Sequence, residues 1–204
     1  CTKIEEIPEG LFDYNTKVTG FVNTFNSCSS LRAIPAGLFD NCTEVTNFGG
    51  TFYNCAKIEE IPEGLFDNNT KVTSFHINVG SYTYGCFNGC KSLTSIPEGL
   101  FNNCPEVTIF NSIFYQCDML KTIPVALFDN CTKVTDFTDS FRGCDNLVGE
   151  SPYATINING ENIKVHLYER SNYPEYFTAP TSYADCFCDS PGLTDYSSIP
   201  SNWK

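Results

Sequence analysis

A 27-residue unit, written CSSLRAIPAGLFDNCTEVTNFGGTFYN from Cys28 to Asn54, recurs along most of the chain and constrains its fold more than any other feature. Cysteines in one phase fall at Cys1, Cys28, Cys55, Cys90, Cys117 and Cys144, so successive units span 27, 27, 35, 27 and 27 residues and the third carries eight extra. A fixed period of this size means that each unit packs on its neighbours, which predicts an elongated array with one drawn-out core. Within a unit the frame F-x-x-[C/N]-x-x-[L/V/I]-x-x-[I/F] occurs twice, offset by 13 and then 14 residues. Phe39, Cys42, Val45 and Phe48 form one half-coil, and Phe52, Cys55, Ile58 and Ile61 form the next. The frame takes in 15 of the 17 phenylalanines. A residue type confined to one phase is a core column, in which each fully buried ring contributes about 1.5–3 kcal/mol.

The local chemistry predicts short elements. In I-P-x-G-L-F-D, Pro8, Pro35 and Pro62 stop the preceding strand, and Gly10, Gly37 and Gly64 permit a sharp turn. The following L-F-D-N-C places Phe and Cys one helical or 3-10 turn apart, both facing inward. K-V-T-x-F and K-I-E-E-I-P read as strands of three to five residues, which stacking would pair in two narrow parallel sheets. The Cys or Asn at the fourth frame position sits where its side chain bonds backbone groups that the turn leaves unpaired. Asn15 and Asn69 replace cysteine in that column, which favours buried thiols over obligatory bridges, with a disulfide-linked secreted scaffold as the alternative. Cys86, Cys186 and Cys188 lie off the column and are the expected places for a disulfide. C-x-x-x-C at Cys86 and C-x-C at Cys186 lack a second pair at zinc-finger spacing, so no metal is expected.

At this point the frame resembles the BspA-like leucine-rich-repeat family of bacterial surface proteins, carried by units such as Phe114, Cys117, Leu120, Ile123 and Pro124 and covering residues 1 to about 147. The resemblance implies a leucine-rich-repeat solenoid, export to the envelope or surface of a host-associated bacterium, and, as in some members, adhesion to host proteins. The expected organisation is a solenoid over 1–147 with an insertion at 76–86, a β-hairpin insertion over 148–182, and a cap over 183–204.

A formal charge of −12, from 24 acidic and 12 basic residues without a Lys/Arg run, makes nucleic acid and anionic membranes poor partners. No apolar run approaches the roughly 20 residues needed to span a bilayer. The sequence starts without Met, as a processed product or excised fragment would. Cys1 reads either as a column residue, in phase with Ile4 and Ile7, or as the lipid-bearing first residue of a lipoprotein.

Two segments break the repeat, and insertions in solenoids tend to carry the binding surface. The first, HINVGSYTYGC, supplies His76, Tyr82 and Tyr84. The second places Asn159-Gly160 between alternating Ile156, Ile158 and Ile163, Val165, which predicts a hairpin with a type I′ turn. It supplies His166, Tyr168, Tyr173 and Tyr176. These seven residues are the candidate ligand contacts, because Tyr joins contact area to a polar tip. Tyr183-x-x-Cys186 and Ile199-Pro200 echo the frame in the aromatic cap.

Other candidates have structural explanations. Glu5-Glu6 and Glu59-Glu60 are expected on a solvated face, whereas catalytic carboxylates need partial desolvation. Thr19, Thr46, Thr73, Thr108 and Thr135 read as a strand ladder. The N-x-T sites at Asn41, Asn68 and Asn130 fall on the fixed turn of the repeat. No G-x-S-x-G or phosphate loop occurs, so no catalytic residue and no cofactor are expected. Three readings follow: a non-enzymatic surface module that binds a host extracellular protein or glycan, a spacer within a longer surface protein, and a hydrolase built around His166 with Glu161 and Glu169.

Overall fold

A computed structural model describes residues 2–204. Cys1, and with it both readings of that residue, lies outside the described residues. One hydrophobic cluster runs from Ile7 to Trp203, and the phenylalanine frame builds it as three columns of stacked rings. Phe39, Phe66, Phe101 and Phe128 follow one another at 5.9–6.2 Å with interplanar angles of 7–9°. Phe52, Phe87, Phe114, Phe141 and Phe187 form a second column at 5.6–5.7 Å. Phe21, Phe48, Phe75, Phe110 and Phe137 form the third. Rings of different columns meet tilted, as Phe39 and Phe48 do at 4.8 Å and 55°, an arrangement that aromatic quadrupoles favour.

Of the two expected parallel sheets one is present, with strands far shorter than three to five residues, and among the described residues the other is confined to a single bridge from Gly149 to Leu193. Gly20, Asn47, Ser74, Ile109, Asp136 and Ser182 form a parallel ladder of single-residue bridges. The reason is visible around Asn47. A turn bond from Val45 N–H to Cys42 C=O closes before it and one from Thr51 N–H to Phe48 C=O closes after it, leaving little extended chain between. The helical turns likewise appear as isolated i to i+3 bonds, such as Cys42 N–H to Phe39 C=O at 2.9 Å. Among the described residues, 3-10 helices occur only at Leu167–Asn172 and Ser201–Trp203. Successive coils are joined instead by single backbone bonds, for example Thr46 N–H to Thr19 C=O and Thr73 N–H to Thr46 C=O, both 2.9 Å. The threonine hydroxyls of that ladder donate to the same carbonyls, Thr46 Oγ1 to Thr19 O at 3.1 Å and Thr73 Oγ1 to Thr46 O at 3.3 Å.

The Cys/Asn column does what its position demands. The Cys55, Cys90, Cys117 and Cys144 thiols donate to the Phe25, Phe52, Phe87 and Phe114 carbonyls of the preceding coil at 3.1–3.4 Å. Asn69 Nδ2 takes the same role toward Phe39 O at 3.3 Å and Cys42 O at 2.9 Å. All eleven described cysteines are free thiols, which corrects the expectation of bridges at Cys86, Cys186 and Cys188. Cys86 and Cys186 are fully buried in register with Thr51 and Ser140, whose hydroxyls donate to the Phe21 and Phe110 carbonyls at 2.9 and 3.2 Å. They belong to a second buried column, which also holds Ile113.

Two antiparallel hairpins interrupt the stack. The first, β1 His76–Val79 and β2 Tyr82–Gly85, was not foreseen. It lies over the second coil, where Gly49 makes room for it: a Cβ there would overlap the His76 carbonyl group. The second hairpin, β3 Tyr153–Ile158 and β4 Glu161–His166, pairs as expected, with Asn159 and Gly160 at φ 54° and 91°, the signature of a type I′ turn. Ala154, Ile156, Val165 and Phe177 give it a small core of its own.

Behind β4, the turn Leu167–Asn172 drives Arg170 into the main stack. Arg170 Nη1 donates to Cys131 O at 3.0 Å and Nη2 to Phe128 O at 2.9 Å, the pattern that Asn69 makes three coils earlier. Its guanidinium stands 4.6 Å from the Phe177 ring and 5.6 Å from the Phe137 ring. A buried arginine thus stands in for the missing column cysteine.

The C-terminal frame is also rephased. Phe187, not Tyr183, continues the phenylalanine column at 5.7 Å and 3° from Phe141, and Ser190 Oγ donates to Phe141 O at 3.5 Å where a cysteine would. Tyr183 follows Phe137 instead, because Ser182 bridges Asp136, and it stacks on Trp203 at 4.6 Å. The step from Asp136 to Ser182 is 46 residues against 27 for Asn47 to Ser74, so the second insertion displaced the phase by 19.

Candidate functional site

The F-x-x-C turns stack into one side of the array, and the residue after each Phe recurs there as a column: Tyr53, Asn88, Tyr115 and Arg142. Bonds from Asn54 N–H to Asn88 O, Gly89 N–H to Tyr115 O and Gln116 N–H to Arg142 O, at 2.7–2.8 Å, hold these positions in line. The first hairpin rises beside this column. The Tyr84 ring lies 4.2 Å from that of Tyr53, and Tyr82 remains 68% exposed. Together with Tyr115 and Arg142 they border an open depression of about 310 Å³. Burial pushes the Tyr53 hydroxyl up from its ordinary value, with Tyr84 and Tyr115 adding to the effect.

The charges at its rim are already paired. Arg142 Nη1 donates to Asp139 Oδ1 at 3.1 Å and to Asp185 Oδ2 at 2.9 Å. Burial raises the Asp139 carboxyl, and the bond to Arg142 opposes that shift. His76 stands at the hairpin base with Nδ1 2.7 Å from Ser74 Oγ. Burial pushes its imidazole below the ordinary value, against the pull of Asp136.

The other candidate residues lie in the second insertion. His166, 8% exposed, has Nδ1 3.0 Å from Ser151 Oγ and Nε2 3.4 Å from Glu150 Oε1. Ser151 Oγ donates to Asp195 Oδ2 at 2.5 Å, and Tyr168 donates to the same oxygen at 3.3 Å. Burial, then Asp195, raises the Tyr168 hydroxyl strongly. These residue types suggest a triad, but the order is wrong for one. The serine stands between His166 and Asp195 and is fully buried, so its hydroxyl is spent on internal bonds. The cluster fastens the hairpin to the C-terminal coil. Tyr173 packs on the small hairpin core, and Tyr176 donates to Asn157 O at 3.0 Å.

The structure therefore divides the seven predicted residues. Tyr82 and Tyr84 meet at the depression, with His76 below them. His166, Tyr168, Tyr173 and Tyr176 are committed largely to contacts within the insertion and the cap. Tyr53, Tyr115 and Arg142 were missed, although an aromatic or cationic side chain at a free position of the frame was a signal available in the sequence. Glu5, Glu6, Glu59 and Glu60 are exposed, as expected for a solvated face. Among the described residues no group of three His, Cys, Asp or Glu is placed to hold a metal ion, and no helix is long and apolar enough to cross a membrane.

The BspA type leucine rich repeat region matches this chain in six copies over residues 5–148 and 91–190. The chain belongs to the BspA-type leucine-rich repeat family. Among solved structures, this BspA-type chain is similar to the APL1 leucine-rich repeat domain, with 17% identity over 76% of the chain and 38% of that domain and a TM-score of 0.49. It is also similar to a leucine rich cell surface protein from Faecalibacterium prausnitzii, with 20% identity over 79% of the chain and 47% of that protein and a TM-score of 0.35. It thus spans less than half the length of either. No match was found among curated proteins.

Proposed function

We propose that this BspA-type repeat segment is a non-enzymatic module of a bacterial cell surface or secreted protein, and that it binds a host extracellular protein or glycan through the tyrosine face formed by the first hairpin and the adjoining turns. The observation that carries this reading is Tyr82. Stacking leaves it 68% exposed beside Tyr53, Tyr84 and Tyr115, at a place where the coils themselves need no aromatic side chain. The buried Ser151 hydroxyl supports a module without hydrolytic chemistry.

The test is an array of host matrix proteins and glycans probed with the 204-residue chain and with a Tyr82→Ala/Tyr84→Ala variant. Binding that falls at least tenfold in the variant, with its thermal transition retained, is the expected result. Equal binding by both proteins would overturn the surface assigned here. Absence of binding by the unaltered chain would favour a spacer segment instead.

A further inference from the structure

Resting on that reading, we infer that the depression beside the first hairpin is a subsite for a neutral oligosaccharide, with Tyr53, Tyr84 and Tyr115 as its platform and Arg142 and Asp139 as its hydroxyl-binding edge. Four observations converge. The aromatic rings supply apolar faces that match the C–H face of a pyranose, and each phenol adds a hydroxyl at the rim. Asn88, between Tyr53 and Tyr115 in the column, and Gln116, next to Tyr115, line the same depression with planar amides that donate and accept at once, as the vicinal hydroxyls of a sugar require.

The charge arrangement excludes the common acidic ligands. Arg142 is the only cation lining the depression among the described residues, and it bonds two carboxylates, Asp139 and Asp185. One positive charge against two negative ones leaves nothing to offset a sulfate, sialate or acidic peptide. Arg142 retains guanidinium N–H groups and Asp139 retains lone pairs, a donor and acceptor pair suited to an uncharged polyol.

Shape and spacing point the same way. The depression is open and bordered by amides, hydroxyls and phenols, without the enclosed apolar pocket that an anchoring side chain of a protein partner fills. Tyr53, Asn88, Tyr115 and Arg142 occupy the same position in successive coils, and backbone-bonded coils rise about 4.8 Å each. That rise is close to the length of one residue in an extended oligosaccharide, so consecutive sugars meet consecutive coils.

Titration calorimetry with neutral hexasaccharides of β-1,4-linked glucose, mannose and N-acetylglucosamine, beside sulfated and sialylated oligosaccharides, tests the assignment. The expected result is binding of at least one neutral series, unchanged as salt rises from about 50 to 500 mM, because no ion pair forms. Tyr115→Ala, in a regular coil rather than in the hairpin, should lower that affinity at least tenfold while circular dichroism and the thermal transition stay as in the unaltered chain. Arg142→Met should lower it as well. Salt-sensitive binding of the acidic oligosaccharides alone would overturn the inference. So would an unchanged affinity in Tyr115→Ala. Binding confined to host proteins on the array would overturn the sugar assignment and leave the surface-module reading standing, whereas silence toward every probe would remove both.

Discussion

The hairpin at 76–85 and the hairpin at 153–166 both interrupt a repeat, and both carry a histidine and tyrosines, yet they use them in opposite ways. The first adds eight residues and returns to phase at once, so Phe87 follows Phe52 in its column at 5.7 Å. Its tyrosines are not needed to close the core, and Tyr82 stays exposed. The second adds 19 residues and replaces part of a coil. It must therefore supply what the coil no longer does: Arg170 for the column thiol, a private core around Phe177, and a polar fastening through Ser151 and His166. Tyrosine density in an insertion is thus no measure of binding surface until the debts of the interrupted coil are known.

Excision should separate the two most sharply. Replacing 153–177 by a short Gly/Ser linker removes Arg170 and Phe177, and the expected outcome is loss of the cooperative transition in circular dichroism. Replacing 77–84 by two glycines should leave that transition within a few degrees; a collapse there would mean that the first hairpin is structural too. Phe66→Ala, fully buried in the ring stack, sets the scale for the regular coils at about 3–5 kcal/mol in urea unfolding. Arg170→Met leaves the buried Cys131 carbonyl without its donor, while Phe128 O keeps the Cys131 N–H, and should cost about 1–3 kcal/mol. A cost under about 1 kcal/mol would show that the insertion does not complete the coil.

Alkali should act on the stack rather than on either hairpin. Burial pushes the Cys55, Cys131 and Cys144 thiols up to about 12, so the folded chain keeps protons that the unfolded chain releases above about pH 9. Stability is then fully present below pH 9 and declines as pH rises toward 12, by about 1 kcal/mol per thiol at pH 10. Urea midpoints at pH 8 and pH 10 measure it, and equal midpoints would contradict buried thiols. Tyr82→Ala is the mildest change, expected within about 0.5 kcal/mol in the same assay despite its effect on ligand.

Much of the fold was legible because one residue type in one phase admits one arrangement. The period, the phenylalanine columns, the thiol bonds and the Asn159-Gly160 hairpin all follow from spacing and turn chemistry. What was not legible came from neighbours in space. Strand lengths depend on turns closing at Cys42 and Phe48 around Asn47, which the β-branched composition conceals. The first hairpin is announced by Gly49 in the preceding coil, not by its own residues. Tyr183-x-x-Cys186 imitates the frame, but the displacement by 19 residues gives the column to Phe187. At the candidate site Tyr82 and Tyr84 stood out as insertion residues, while Tyr53, Tyr115 and Arg142 sit at free positions of the repeat and gain significance only when coils stack.

Ten of the eleven described free cysteines lie one to a half-coil from Cys28 to Cys144 or in the adjoining Thr51/Ser140 column, and all but Cys188 are sealed from solvent. A thiol-specific reagent reaches each of those ten only when its own stretch of chain opens. Labelling rates resolved by peptide mass would therefore map breathing along the solenoid coil by coil, with Cys188 as the fast internal standard and no reporter group to be engineered.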